Sequence, residues 1–391
     1  MRLIDDLALV SCWLTVALIA YTYLGYPLLL AVLALWKPTS IREQMDAAWP
    51  LVTLLVPVHN EELAIRHKLD NLLRLEYPKT HVRILVLSDA STDGTNAVVE
   101  SYTDARIKLL KLEQRVGKTE AQNHALPHVR GDVVVNTDVA VRLEPSSLEA
   151  LVRPFLDDAR IGVVSGRLIG LHDRVAGTAR EESWYLRYEM MIRVLESRTG
   201  STVGAAGGFY GVRRELFGHF PAHLSRDFGS VLLARKRGYR AIVAPEAQCY
   251  VAGTGSLVAE YRRKVRTMTR GLQTLLHHVE LANPLRFGLF SIKLLSHKLA
   301  RWAVPPLLPI ALAGGLWLAA RSGYAVIAVS ILVILSGALL AGLLAGRRHV
   351  RPLLSRLGYV VLANLAAIEA WVNLLRGDTT PIWAPTRRQP N

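Results

Sequence analysis

The sequence predicts a mainly parallel α/β domain set between membrane-spanning helices. Three observations predict it. Short apolar runs alternate with helical periodicities between about residues 51 and 165. Those runs end in acidic or amide residues, and long charge-free stretches flank the whole.

At the start of the chain, residues 7–36 (LALVSCWLTVALIAYTYLGYPLLLAVLALW) carry no charge. A helix needs about 20 apolar residues to cross a bilayer. A signal peptide has an apolar region of roughly 7–15 residues, so this longer run is expected to stay as an anchor. Apolar strands then fit 51–57, 83–88, 107–111, 132–137 and 161–165, with helical patterns near 61–75, 94–103, 117–128 and 146–156.

Sheets of this kind bind ligands beyond the carboxyl ends of their strands, so those ends matter most. The first ends in Pro57-Val58-His59-Asn60-Glu61, and the fourth in Asn136-Thr137-Asp138. The second runs from Ser88-Asp89 to Asp93-Gly94-Thr95. Any one of these acids could cap a helix or a turn. Three acidic strand ends on one rim point instead to a site. No Gly-x-Gly-x-x-Gly follows the first strand, which argues against a dinucleotide oxidoreductase.

Beyond the domain, residues 256–302 alternate cations with apolar residues at helical spacing, as helices lying in a membrane interface do. Spans are expected at 303–320, 323–346 and 357–375. The last carries Asn364, Glu369 and Asn373, so it either spans against other protein or lies in the interface. The expected divisions are an anchor (1–40), a catalytic domain (41–255), interfacial helices (256–302) and a membrane region (303–391). Lys37, Arg42, Arg347, Arg348, Arg351 and Arg356 place residues 37–300 in the cytoplasm of a multi-pass inner (plasma) membrane protein. Arg376, Arg387 and Arg388 break that pattern if 357–375 spans.

Composition agrees. The 391 residues are 51% hydrophobic with a mean hydropathy of +0.24, too high for an ordinary soluble protein and too low for a transporter. Cys12 and Cys249 cannot build a disulfide scaffold. Net charge is +15, from 47 basic against 32 acidic residues, which suits anionic lipids and phosphorylated substrates. No nucleic-acid motif is present, so nucleic acid is not an expected partner.

At the strand ends the chain resembles the membrane-integrated, polysaccharide-synthase-like branch of family 2 glycosyltransferases, whose catalytic domain has the GT-A fold. The resemblance rests on VPVHNEE (56–62), LSDASTDGT (87–95), GKTEAQNHAL (117–126), VGAAGGFYGVRRELF (203–217) and SRDFGSVLLARKRGYRAIVAPEA (225–247). RRKVRTMTRG (262–271) falls where processive members carry Gln-x-x-Arg-Trp.

That resemblance implies an inverting transfer from a UDP-sugar to a lipid-linked or growing glycan acceptor, within polysaccharide biosynthesis. It implies Asp227 as the catalytic base, which on its own could equally cap the helix that follows. It implies that Asp89 accepts from uracil, with Pro57, Glu61 and Asp93 in the loops around the nucleoside. Asp138 would lie at the diphosphate and a divalent cation, Mg²⁺ or Mn²⁺. Lys118 would approach the phosphates unless it is a solvated helix lysine. Arg263 and Arg266 share a helical face toward the diphosphate or acceptor.

Two departures qualify this. The family often has Asp-x-Asp where this chain has Asp138-Val139-Ala140. The cation would then rest on Asp138, diphosphate oxygens and water, or metal dependence would be weak, or the protein would be an inactive homologue. Thr267 replaces the Trp that follows the arginine of processive members, which favours single additions over processive synthesis and export. A non-catalytic membrane partner that binds nucleotide-sugar is the reading from another class.

Overall fold

The computed structural model describes residues 2–36, 48–171, 178–252, 257–321 and 352–379. The span expected at 323–346 lies outside these residues, as do Lys37, Arg42, Arg347, Arg348 and Arg351, which oriented the chain.

Helix α1 (Arg2–Leu35) is the N-terminal apolar segment, interrupted by one wide turn at Tyr21–Gly25. The domain follows with β1 (Val52–Val58), α2 (Glu62–Leu73), β2 (Val82–Asp89), α3 (Thr95–Glu100), β3 (Ile107–Leu112), α4 (Lys118–His124) and β4 (Val133–Thr137). These four strands pair in parallel in the order β3-β2-β1-β4. Every residue of β1 is buried, as a strand covered on both faces requires. At the open edge, β3 exposes Lys108 and Lys111, charges that discourage another strand from pairing there.

The second half adds β5 (Val141–Leu143), α5 (Ser147–Asp157), β6 (Ile161–Leu171), α6 (Thr178–Arg198), β7 (Phe209–Arg213), α7 (Arg226–Lys236) and β8 (Arg240–Ala252). The sheet is mainly parallel, as expected, but in this half the parallel pairing is interrupted. The order continues β4-β7-β6-β8-β5, and only β6 with β8 is parallel. Antiparallel pairing aligns Thr137 with Phe209, so β7 enters the sheet at the rim where β4 leaves it. Asp138 and the Gly207-Gly208 turn therefore meet: the Asp138 N–H donates to the Gly208 carbonyl at 3.1 Å.

After the sheet come α8 (Leu257–His277), α9 (Leu289–Arg321) and α10 (Pro352–Arg376). Among the described residues, three segments are long and apolar enough to cross a membrane: Arg2–Leu35, Leu289–Arg321 and Gly358–Arg376. A small-residue contact joins α1 to α9. A β-carbon on Gly314 would come within 3.0 Å of Ser11 and 3.2 Å of Ala8, so only glycine lets these helices approach so closely. The Trp317 indole also donates to Asp5 at 2.9 Å.

Residues 256–302 differ from the expected interfacial pair. Only α8 is a separate amphipathic helix; residues 289–302 belong to the long helix α9. Its cations do not face outward. Lys293, His297 and Arg301 are buried against α6. The two His297 ring nitrogens face Glu196 at 2.7 Å and Glu189 at 3.1 Å. Arg301 donates to Glu189 at 2.5 Å, Arg193 at 3.0 Å, and the Tyr26 hydroxyl to Glu196 at 2.5 Å. Buried ionisable groups persist when they are paired in this way.

Burial alone would raise both carboxyls, but His297, with Lys298 and the arginines at Glu189, and with Tyr26 and Lys293 at Glu196, holds both below their ordinary range. Their stabilisation is therefore complete above the ordinary value of 4.5 and is lost as pH falls through the lowered values. Glu189→Gln leaves cations buried around a neutral amide and is expected to cost about 3–5 kcal/mol. The midpoint of thermal unfolding in detergent at neutral pH measures this.

Candidate active site

The first two loops are tied to each other before they meet anything else. Asn60 and Ala90, ending β1 and β2, take left-handed φ values of 53° and 52°, a conformation non-glycine residues adopt only under constraint. The constraint is a hydrogen-bond lattice. The Thr92 N–H donates to Asn60 Oδ1 at 2.8 Å, and the Glu61 N–H to the Thr95 hydroxyl at 2.8 Å. Asp93 accepts from the N–H groups of Thr95 (3.0 Å) and Glu62 (3.2 Å) and from the Thr95 hydroxyl (2.5 Å). Burial pushes the Asp93 carboxyl up, but these donors together hold it below its ordinary value.

Asp89 is 1% exposed. Its two oxygens accept from the Val116 N–H at 2.7 Å and the Gly117 N–H at 2.9 Å, which fastens the loop leading into α4. Gly117 turns there with φ of 87°, and α4 begins with Lys118 aimed back at the end of β4. The Lys118 ammonium donates to Asp138 Oδ1 at 2.5 Å and to the Gly207 carbonyl at 3.4 Å. The alternative of a solvated helix lysine is not what the structure shows.

Asp227 stands in the first turn of α7. Its Oδ1 accepts from the Ser225 hydroxyl at 2.5 Å. Its Oδ2 lies 2.5 Å from where a β-carbon on Gly207 would sit, so any side chain there would displace the carboxylate. The segment before α7 is anchored from α8: Arg270 donates to the carbonyls of Leu224 and Ala222 and to the Thr119 hydroxyl. Arg226 also borders the cavity, but its guanidinium is engaged elsewhere. It donates to the Gly218 carbonyl and Asn123 and packs over Phe217 and Phe220. Burial lowers its guanidinium to about 10.

These elements enclose a cavity of about 350 Å³. Of the residues singled out from the sequence, Glu61, Lys118, Asp138, Asp227, Arg263 and Arg266 line it. Pro57, Asp89 and Asp93 do not; Pro57 is buried within β1, and the two acids hold loops. Arg263, Arg266, Thr267 and Arg270 form the α8 wall. Arg263 is paired with Glu260 at 2.7 Å. Burial, then Arg263, lowers the Arg266 guanidinium, against the opposing pull of Asp138. Opposite, α6 contributes Leu186, Glu189, Met190 and Arg193, so the cavity reaches the cluster that α6 shares with α9.

Sequence reasoning missed Lys68, Glu189 and Gly207. Lys68 lies within a helical pattern that reads as an ordinary amphipathic face, and only its 3% exposure in the fold marks it out. Gly207 stood in a recognised segment, and its double glycine was the available signal.

A divalent cation fits this site in one way. Among the described residues no group of three or more His, Cys, Asp or Glu is arranged around a common point for a metal ion. Asp138 alone presents a carboxylate at the turn, and Ala140 is exposed where a second would stand. The donor set suits a cation shared between Asp138 and the oxygens of a bound diphosphate.

Comparison with known proteins agrees with this fold. The profile "Glycosyl transferase family 2" matches residues 53–220, and "Glycosyl transferase family group 2" matches 138–345, more than half of the chain. A mannosyltransferase from Pyrobaculum calidifontis, solved in complex with GDP-Man and Mn²⁺, superposes with a TM-score of 0.69 at 28% identity. That match covers 93% of this chain and 99% of the other. An N-acetylglucosaminyltransferase of Mesorhizobium japonicum is 26% identical over 252 residues, covering 59% of this chain and 58% of the relative. A β-monoglucosyldiacylglycerol synthase of Nostoc is 28% identical over 167 residues, covering 42% and 34%. The chain thus spans between a third and three fifths of these two curated relatives.

Proposed function

Since this chain belongs to glycosyltransferase family 2, we propose that it is an inverting transferase moving a sugar from a nucleotide-sugar to a lipid-linked or glycan acceptor at the cytoplasmic face of the plasma membrane. The observation that carries this is the convergence of Asp138 and Asp227 on either side of the Gly207-Gly208 turn in one cavity. One carboxylate stands beside a lysine suited to phosphate; the other stands in the open cavity, suited to a hydroxyl.

In this mechanism Lys118 and Arg266 neutralise the diphosphate, and Asp138 is the residue that would hold a Mg²⁺ or Mn²⁺. A divalent cation there would supply charge neutralisation for the departing nucleoside diphosphate. Asp227 takes the proton of the acceptor hydroxyl as that oxygen attacks the anomeric carbon on the face opposite the bond to the diphosphate, which breaks as the nucleoside diphosphate leaves, and this single displacement inverts the centre. Ser225 keeps Oδ1 occupied, which directs Oδ2 toward the Gly207 side. Asp89 acts beneath the nucleoside, setting the 116–117 loop; as a carboxylate it retains acceptor capacity for a base. Asp93, Pro57 and Glu61 shape the loops around it.

The acceptor is inferred to come from the membrane side, because the cavity wall formed by α6 is continuous with the buried cluster on α9. Membrane lipids are then direct partners. Thr267 on the cavity wall supports single additions rather than processive synthesis. The family loops support a UDP-sugar, while the mannosyltransferase noted above was solved with GDP-Man.

A panel of UDP-glucose, UDP-N-acetylglucosamine and GDP-mannose decides the donor, offered with Mn²⁺ to the full-length protein in membranes. One of them is expected to yield a single-sugar product extractable with lipid or glycan. Absence of transfer and of donor hydrolysis with all three would reject the catalytic reading in favour of a non-catalytic partner.

A further inference from the structure

Lys68 is buried to 3% exposure in α2, and its amine makes two hydrogen bonds: to the Thr137 hydroxyl at 2.7 Å and to the Val141 carbonyl at 2.5 Å. These acceptors bracket Asp138 from both sides. Among the described residues it forms no ion pair at hydrogen-bond distance. A methionine would fill the same space without the cost of taking an amine out of water. Something must require the amine here.

The sheet supplies the reason. After β4 the chain leaves the parallel half, turns through Asp138-Val139-Ala140 and forms β5, a strand of three residues paired with β8 alone. Among the described residues, no further strand bonds the outer edge of this short terminal strand. Helix α2 does so instead. One turn beyond Lys68, Asn71 donates to the Leu143 carbonyl at 2.8 Å and accepts from the Leu143 N–H at 2.8 Å. Lys68 and Asn71 together bond the outer edge of β5 at Val141 and Leu143, and Lys68 also holds Thr137 at the end of β4.

We propose that Lys68 is a positioning residue for donor binding: it clamps the 137–141 turn from behind so that the Asp138 carboxylate faces the cavity and the diphosphate. This rests on the proposed nucleotide-sugar donor at Asp138. Burial pulls the Lys68 amine down to about 7, against the pull of Asp138, but amine and ammonium alike carry the two N–H bonds the clamp needs. The role matters more here than where a second metal carboxylate stiffens the turn, because Ala140 contributes no side-chain ligand.

The test is the binding of UDP and GDP, each titrated with Mn²⁺ into the full-length protein in detergent, alongside thermal unfolding. In Lys68→Met the dissociation constant of the nucleotide bound by the wild type is expected to rise about tenfold, the effect of losing a buried hydrogen-bonded pair of contacts. A lysine that only supports the fold would lower the unfolding temperature and leave the affinity of the folded protein unchanged, and that result would overturn the proposal while leaving the donor reading intact. Should Lys68→Met not fold, Thr137→Val, which keeps the volume and removes one acceptor, is judged by the same criterion. If the wild type binds neither nucleotide, the donor reading itself fails and the clamp loses its purpose.

Discussion

Asp227→Asn is expected to lower kcat by roughly 10²–10⁴-fold, the contribution of a positioned general base, while leaving nucleotide affinity unchanged. The substitution keeps the size of the side chain, so Ser225 retains a partner and Gly207 still has room beside it. Arg270 continues to hold the carbonyls of Ala222 and Leu224, so α7 starts where it did. What disappears is the acceptor for a proton. Initial rates on the donor identified by the panel, compared with Mn²⁺–nucleotide binding, separate the two effects. Undiminished turnover would remove Asp227 from the mechanism.

The second large effect is expected at Asp138. Asp138→Asn deprives Lys118 of its ion-pair partner and leaves the turn without a carboxylate. We expect kcat/KM to fall by about 10²–10³-fold, on the scale of removing one preorganised electrostatic contact from a site. Stimulation by Mn²⁺ should be lost at the same time. The contrast with Asp227 is the informative part: one variant binds donor and does not turn over, the other binds donor poorly. A Mn²⁺ titration of the rate that is the same in Asp138→Asn and wild type would mean that the cation is held elsewhere.

The parallel half of the sheet was legible because its strands are covered on both faces, and double coverage writes a nearly continuous apolar run such as LVTLLVPV. The other half was not. β7 reads Phe-Tyr-Gly-Val-Arg, too short and too interrupted to stand out, and β8 carries Pro245, Glu246 and Gln248 among its apolar residues. The site divided in a similar way. Asp138, Asp227 and Lys118 sit at element ends, where short motifs mark them. Lys68 and Glu189 lie mid-helix, and what burial each meets depends on elements distant in sequence: β4 and β5 for the lysine, α9 for the glutamate. The cations of α9 were visible, but hydropathy could not say which way they faced.

The cluster between α6 and α9 has a consequence for how this protein divides. Hydropathy draws a line near residue 255 between a water-soluble enzyme and its tether. The packing draws none there. Glu189 helps to wall the cavity and is also paired with cations at the base of α9, a segment long and apolar enough to span a membrane, so the cavity borrows part of its wall through that helix. Sheet domain and apolar helix pack as one body, and a version cut free of α9 would leave Glu189 and Glu196 buried without His297 and Arg301 to pair them.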